Sequence, residues 1–390
     1  MTPNPAIDLL AKLVAFDTTS SNSNLELISF IQDYLADHGI DSQRIPSPEG
    51  DKANLWATIG PDIAGGTILS GHTDTVPVDG QDWRTDPFTL TQRGDRLYAR
   101  GACDMKGFLA CVLAAVPRMI RADLARPIHL AFSYDEEIGC VGVIGLIDWL
   151  AGQPTRPAFC VVGEPTMMAV GLGHKAKRSI RITVSGRSCH SALAPQGVNA
   201  VEYGALMVAK IHAMGARMAT AGARDPAYDI AHSTAHTGIF HGGTALNIVP
   251  DKAVIDCEFR VLPGEDSDAL VDELRAYADK LQNAMRQRHP ESGIEITTHA
   301  EFPGLDTAAD AEIAGLGLRF ADSNQTIKVA YGTEGGRFAS APLTLPTIVC
   351  GPGSITQAHQ PDEFIAVQQL ERCDQFLDRL IAWSSRRDDA

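Results

Sequence analysis

Four short apolar runs in this chain each lead into histidines or carboxylates, side chains able to bind metal ions or carry protons, and that repetition constrains the fold more than any other feature. The run 128–132 enters SYDEEIG, where Asp135, Glu136 and Glu137 stand side by side and Ile138, Val141, Val143 and Ile144 follow. Carboxylates beside a core are rarely left uncompensated, so this run demands positive charge. Residues 68–70 enter GHTDTVP, with His72 and Asp74 spaced two apart. Residues 159–162 enter GEPT, with Glu164, and residues 348–350 enter GPGSITQAH, with His359. RGACDMKG places Asp104 just before an Ala-rich apolar segment, 106–119, which reads as a helix with Pro117 near its end.

Strand-like and helix-like segments alternate through the first 175 residues, and the style returns after Glu291. That alternation predicts an α/β domain with a mixed, largely parallel sheet flanked by helices. Near Lys175 the character changes. Ile180, Ile182 and Val184 alternate with Arg181 and Thr183, the pattern of a half-solvated antiparallel strand. Residues 237–239 and 253–259 repeat it, and 198–214 and 267–286 read as helices. The expected organisation is a catalytic domain over 1–175 and 291–390, with a smaller α+β domain inserted over 176–290.

The formal net charge is −15, which disfavours nucleic acid and anionic membrane as partners. No apolar run reaches membrane-spanning length. The first residues lack the basic start and apolar block of a signal peptide, and the eight cysteines are scattered without a CxxC pair. Both features predict a reduced, cytoplasmic protein. Gly171-Leu-Gly173 lacks the third glycine of a dinucleotide loop, and HExxH is absent. His232 and His236 have helical spacing, but the surrounding pattern predicts loop and strand, not a metal pair.

Strand ends are where α/β sheets place ligands, so the separate clusters are expected to converge. On an extended segment His72 and Asp74 project to one side, which suits an imidazole ligand whose second nitrogen is held by a carboxylate. Two imidazoles and three carboxylates (His72, Asp104, Glu137, Glu164 and His359) suit two divalent ions, with one carboxylate bridging. Imidazole plus carboxylate without thiolate fits Zn2+ or Co2+, and manganese by the same chemistry. Such a pair generates a nucleophile from water at neutral pH. Glu136 is then the remaining carboxylate and the expected general base. Asp135 is expected to play a supporting part.

These motifs, in this order, resemble the dinuclear-zinc amidohydrolases, the family that includes acetylornithine deacetylase, succinyl-diaminopimelate desuccinylase, aminoacylase and carboxypeptidase G. The resemblance runs through GHTDTVPVDGQDWRTDPF, RLYARGACDMKG, SYDEEIGCVG, VVGEPT, HSALAPQGVNA, GGTALNIVP and CGPGSITQAHQPDEF. It implies a zinc-exopeptidase-like fold in which His72 and Glu164 hold one ion, Glu137 and His359 the other, and Asp104 bridges. It further implies Glu136 as base, Asp74 as the partner of His72, and a cis peptide after Asp104. The inserted domain would mediate homodimerisation, and His190 would reach the partner's site to stabilise an oxyanion. Arg260 and Asn247 would bind the substrate carboxylate and line the site. Charge complementarity alone makes Glu334, in YGTEGGR, the candidate for a distal substrate ammonium; a solvated loop acid is the alternative. His241 either lines the site or is structural. The implied reaction is hydrolysis of a small N-acyl amino acid. A non-catalytic binder on this fold would be expected to have lost a ligand or the base, and here every such position is filled.

Overall fold

The computed structural model describes residues 4–387. It divides into two compact units, Met1–His174 with Leu305–Ala390, and Lys175–Gly304.

In the first unit the described residues build a nine-stranded mixed sheet. Its centre is four parallel strands in the order Ile128–Ser133, Thr67–His72, Phe159–Pro165, Thr347–Gly351. Antiparallel strands Ala53–Ile59 and Ser42–Pro46 extend one side, and Val170–His174 the other. The central strands are apolar throughout because both faces are covered. Alternate residues serve two cores. Leu69, Leu130, Phe132 and Val161 face the helices Pro5–Val14, Lys106–Arg121 and Val367–Ser384. Ile68, Ala131, Cys160 and Val162 face the helix Val143–Ala151 and Phe338. By the same alternation Ser70 and His72 continue the row of Ile68, and Glu164 the row of Val162.

One sequence expectation holds here and one needs correction. Pro117 does lie near the end of its helix, which runs to Arg121. Proline removes the N–H that would reach the carbonyl four residues back. That carbonyl, Leu113 O, instead accepts a hydrogen bond from Tyr34 Oη at 3.0 Å, so the helix continues at little cost. The chain returns to the first unit at Leu305, not at 291. The reason is the strand Gly293–Phe302, which pairs antiparallel with Ala176–Ser185.

The second unit is a four-stranded antiparallel sheet in the order Thr234–Gly242, Lys252–Val261, Ala176–Ser185, Gly293–Phe302. The helices Ala200–Ala221 and Ser267–Arg288 cover the face formed by Ile180, Ile182, Val184, Ile255 and Phe259. Each helix opens on a side-chain cap, Asn199 accepting from Val201 N and Asp266 from Asp268 N. His236 lies in the edge strand, so it forms no helical pair with His232.

The sheet leaves no room at Gly163, one residue before Glu164. A Cβ there would lie 2.1 Å from the Phe108 ring. Gly163→Ala is expected to cost about 1–3 kcal/mol by overpacking, read as a lower urea midpoint. Gly145 in the helix Val143–Ala151 has room for a Cβ, its nearest neighbour at 3.9 Å, so Gly145→Ala is expected to stabilise by about 0.5–1 kcal/mol and raise the midpoint.

Candidate metal centre

The carboxyl ends of the parallel strands carry the predicted cluster. His72 is the last residue of its strand, Glu136 and Glu137 follow Ser133 closely, and Glu164 lies in the final turn of Phe159–Pro165. His359 follows Thr347–Gly351, and Asp104 sits two residues before the helix Lys106–Arg121. Asp104 is central. Its Oδ1 lies 3.1 Å from His72 Nε2, and its Oδ2 lies 3.3 Å from His359 Nε2. His72 Nε2 is also 3.6 Å from Glu164 Oε1, and His359 Nε2 is 3.0 Å from Glu137 Oε2. One carboxylate therefore faces two imidazoles, each with a second carboxylate beside it. The Asp104–Met105 peptide is cis.

Donor atoms of His72, Asp104 and Glu137 lie within 4.8 Å of one another, and so do those of His72, Glu136 and Glu164. Glu164 Oε1 is buried, and among the described residues no donor reaches it. An orphaned buried acceptor beside an imidazole and further carboxylates fits a divalent cation. The residues present thus match the oxygen and nitrogen donor set of two such ions.

Electrostatics without a cation are severe. Burial and the Asp104 charge push Glu164 well above the usual carboxylate range. Burial, with Glu137 and Asp104 nearby, pushes Glu136 up to about 8. Burial and Asp104 push Glu137 to about 7. Asp104 goes the other way. Burial would raise it, but hydrogen bonding to both imidazoles holds it below the usual range. His359 is raised to about 10 by Asp104 and Glu137. For His72 burial opposes protonation, yet Asp104 and Asp74 outweigh it and raise the group well above its ordinary value.

Asp74 does more than the sequence suggested. His72 Nδ1 lies 2.9 Å from the Asp74 carbonyl and 3.4 Å from its carboxylate. That carboxylate also accepts from the backbone N–H of Glu136 at 3.2 Å and of Glu137 at 3.3 Å. Ser20 Oγ donates to it at 2.7 Å. So one side chain steadies an imidazole and the loop of both glutamates. Ser20 was not singled out from the sequence, since nothing marks one serine in TTSSNS as different. Asp135 pairs with Lys52 at 2.6 Å, both side chains 12% exposed. Part of the positive charge demanded by SYDEEIG is therefore a lysine.

Glu334 departs from expectation. Its side chain is buried, and its carboxylate accepts from Ser70 Oγ and, at 2.6 Å, from Ser133 Oγ. It ties two central strands together just before His72 and Glu136, and presents nothing to a substrate ammonium. Its environment was illegible because sequence separation hides a contact made 264 residues apart.

The other predicted residues belong to the second unit. His190 is exposed and its Nδ1 accepts from Ala192 N. Its segment bridges to Ile248, and Ser191 N donates to Asn247 O at 2.9 Å, so His190 and Asn247 share one loop pair. His241 lines a cavity of about 480 Å³ with Gly243 and Ile248. Arg260 lies near the far end of Lys252–Val261, its guanidinium bonded to Glu258 at 3.1 Å.

A model of peptidase family M20/M25/M40 matches residues 68–383. Acetylornithine deacetylase of Proteus mirabilis is 34% identical over 94% of this chain and 92% of its own length. The enzyme of the same name from Photorhabdus laumondii is 33% identical, covering 97% and 96%. Among solved structures, an M20 family metallo-carboxypeptidase of Sulfolobus solfataricus superposes with a TM-score of 0.79 at 18% identity, over 98% of this chain and all of that one. A dipeptidase of Saccharomyces cerevisiae gives 0.73 at 13% identity, over 98% and 96%.

The pH response of the metal-free protein follows from the raised groups. Glu136, Glu137 and His359 bind protons more tightly folded than unfolded. The stabilisation from those protons is complete below the unfolded values and is lost as pH rises through about 7 and 8 for the two glutamates and about 10 for His359. With chelator present, the melting temperature should fall from pH 6 to pH 9. Divalent metal replaces those protons, so the stabilisation it gives should grow over the same interval. A chelated protein whose melting temperature rose with pH would contradict the assignment.

Proposed function

The chain belongs to peptidase family M20/M25/M40 and is a metal-dependent hydrolase acting on amide bonds; on that premise we propose that it removes the acetyl group from N2-acetyl-L-ornithine, giving acetate and L-ornithine for arginine biosynthesis. The observation that carries the chemistry is Asp104, whose two oxygens each face a different imidazole. The substrate reading is supported by relatives at 33–34% identity over nearly the whole chain that carry the name acetylornithine deacetylase. The alternative is another N-acyl amino acid amidase of the family, a desuccinylase, deacylase or dipeptidase, with the same site and a different pocket.

His72 and Glu164 would hold one ion, Glu137 and His359 the other, and Asp104 both, with Zn2+ the first choice and Co2+ the second. When bound, such a pair supplies Lewis acidity and activates water at neutral pH. The chain's own residues do the rest. Asp74 holds His72 at Nδ1 and fixes the loop of Glu136 and Glu137. Glu136 takes the proton of the attacking water and returns it to the leaving amine. Its contact with Cys140 Sγ at 3.1 Å leaves the carboxylate otherwise free for that task. His190 stabilises the developing oxyanion. Arg260 clamps the substrate carboxylate, for which it must exchange Glu258, and Asn247 lines the site. The ammonium is left to a residue other than Glu334.

A homodimer is part of this reading. His190 and Asn247 lie beside the Lys252 end of its strand, and Arg260 at the other, roughly 25 Å along. One site takes all three most simply when two copies contribute. The edge strand Thr234–Gly242 is exposed, and Ile239, Phe240, Leu246 and Ile248 are exposed on it or next to it, which suits pairing with a second copy. No helix of the described residues is long and apolar enough to cross a membrane. The eight free cysteines support a cytoplasmic location.

Amine release from N-acetylornithine, N-succinyl-diaminopimelate, N-acetylmethionine and a dipeptide, with Zn2+ or Co2+ and again after chelation, tests the reading. Metal-dependent turnover led by N-acetylornithine is expected; another leader would move the substrate and keep the chemistry. Glu136→Gln should lower kcat by about 10²–10⁴-fold while the metal content stays at two per chain.

A further inference from the structure

Beside the cluster lies a buried ion pair, Arg100 with Glu363, each side chain 1% exposed and Nη1 to Oε2 at 2.7 Å. Such a pair is weak evidence for stability, because desolvation offsets much of the attraction. Its contacts point to another use. Glu363 Oε1 accepts from the backbone N–H of Cys103 at 2.8 Å and of Asp104 at 3.0 Å. Oε2 accepts from Gly101 N–H at 3.1 Å as well as from Arg100. Four donors fill the acceptor sites of one carboxylate, and three of them belong to the loop that carries Asp104.

The network then continues to the second imidazole. Arg100 Nη2 donates to Gln81 Oε1 at 2.5 Å, and Gln81 Nε2 donates to the His359 carbonyl at 3.1 Å. Trp83 Nε1 fixes the same Gln81 oxygen at 3.0 Å, and its ring lies 5.1 Å from the Arg100 guanidinium carbon. His359 has φ of 62°, a region sparsely used by residues with a side chain. Its side chain is 51% exposed, so packing does not aim it. Besides its contacts with Asp104 and Glu137, its direction is set by its backbone and by whatever holds that backbone. The short strand Phe364–Ala366, next to Glu363, pairs with Arg96–Tyr98 and brings the two loops together.

We infer that Glu363, Arg100 and Gln81 are positioning residues that hold Asp104 and His359 as one unit and so set the affinity for the ion placed between Asp104, Glu137 and His359. The inference rests on the two-ion reading above. These residues act on main-chain atoms of the Asp104 and His359 loops, so they change aim, not donor chemistry. A purely structural network would affect stability and both ions alike. A positioning network weakens the ion of His359 more than the other, which shares only Asp104 with it.

The test is stepwise Co2+ binding to the chelator-stripped full chain, followed by calorimetry and by cobalt absorption, alongside melting of the stripped protein. Gln81 is only half buried, so Gln81→Ala should fold and melt as the native chain does. It should weaken one binding step by about 10-fold or more and leave the other in place. Glu363→Gln should weaken the same step at least as much. Folded Gln81→Ala with both steps unchanged, or with both weakened equally, overturns the inference even if Glu363→Gln fails to fold. A native chain that takes up fewer than two ions overturns the two-ion reading itself, and this inference with it.

Discussion

The structure turns on one constraint: too many carboxylates are desolvated at one end of one sheet. Asp74, Asp104, Asp135, Glu136, Glu137, Glu164, Glu334 and Glu363 all lie in or around this region of the first unit. Each is costly there unless something positive or a hydrogen-bond donor compensates it. They sort by what does so. Asp135 has Lys52, Glu334 has two serine hydroxyls, Glu363 has Arg100 and three backbone N–H groups, and Asp74 has Ser20, two backbone N–H groups and His72. These outer acids are satisfied by the protein. The inner ones share two imidazoles among four carboxylates, and Glu164 Oε1 has no donor among the described residues. The deficit falls at the centre, and it is a deficit that divalent cations meet.

The parallel sheet is what makes such crowding possible. Parallel neighbours end at the same side, so Thr67–His72, Ile128–Ser133, Phe159–Pro165 and Thr347–Gly351 deliver their following residues to one place. Two covered faces make the delivery rigid. Ile68 and Leu69 serve opposite cores, and the register that buries them also decides that His72 continues the row of Ser70. A one-residue slip would turn the imidazole to the other face and cost both cores at once. The outer acids then serve the same end: Glu334 joins strands before the ligand positions and Glu363 joins the loops after them.

The fold and the inner site were legible because both depend on local pattern. Apolar runs ending in His, Asp or Glu report strand and ligand together, and Ile180, Ile182 and Val184 report a one-sided strand. The outer acids were not legible. Glu334 and Glu363 act through contacts made 264 and 259–263 residues away, which no spacing rule encodes. How Pro117 is accommodated in its helix was hidden for the same reason, since the carbonyl it leaves is bonded by Tyr34 in another helix. The return at Leu305 was missed because Gly293–Phe302 is identified by its partner strand more than by its own composition, although Ile294 and Ile296 alternate as a one-sided strand would.

In the proposed reading, Glu136 is the residue that separates an enzyme from a binding protein on this fold. Its side chain has Cys140 as its hydrogen-bond donor, and burial, with the neighbouring carboxylates, pushes its proton affinity up to about 8 when no cation is bound. A protein that only bound a ligand here would be relieved of that cost by an amide or an apolar residue of similar size. The outer acids of the same crowded region have all been given partners, so the environment is capable of supplying them. A bound cation beside it would lower that proton affinity toward the range of a carboxylate that accepts a proton and passes it on. Stability gives no reason to hold Glu136 in that condition, whereas the role proposed for it as general base would.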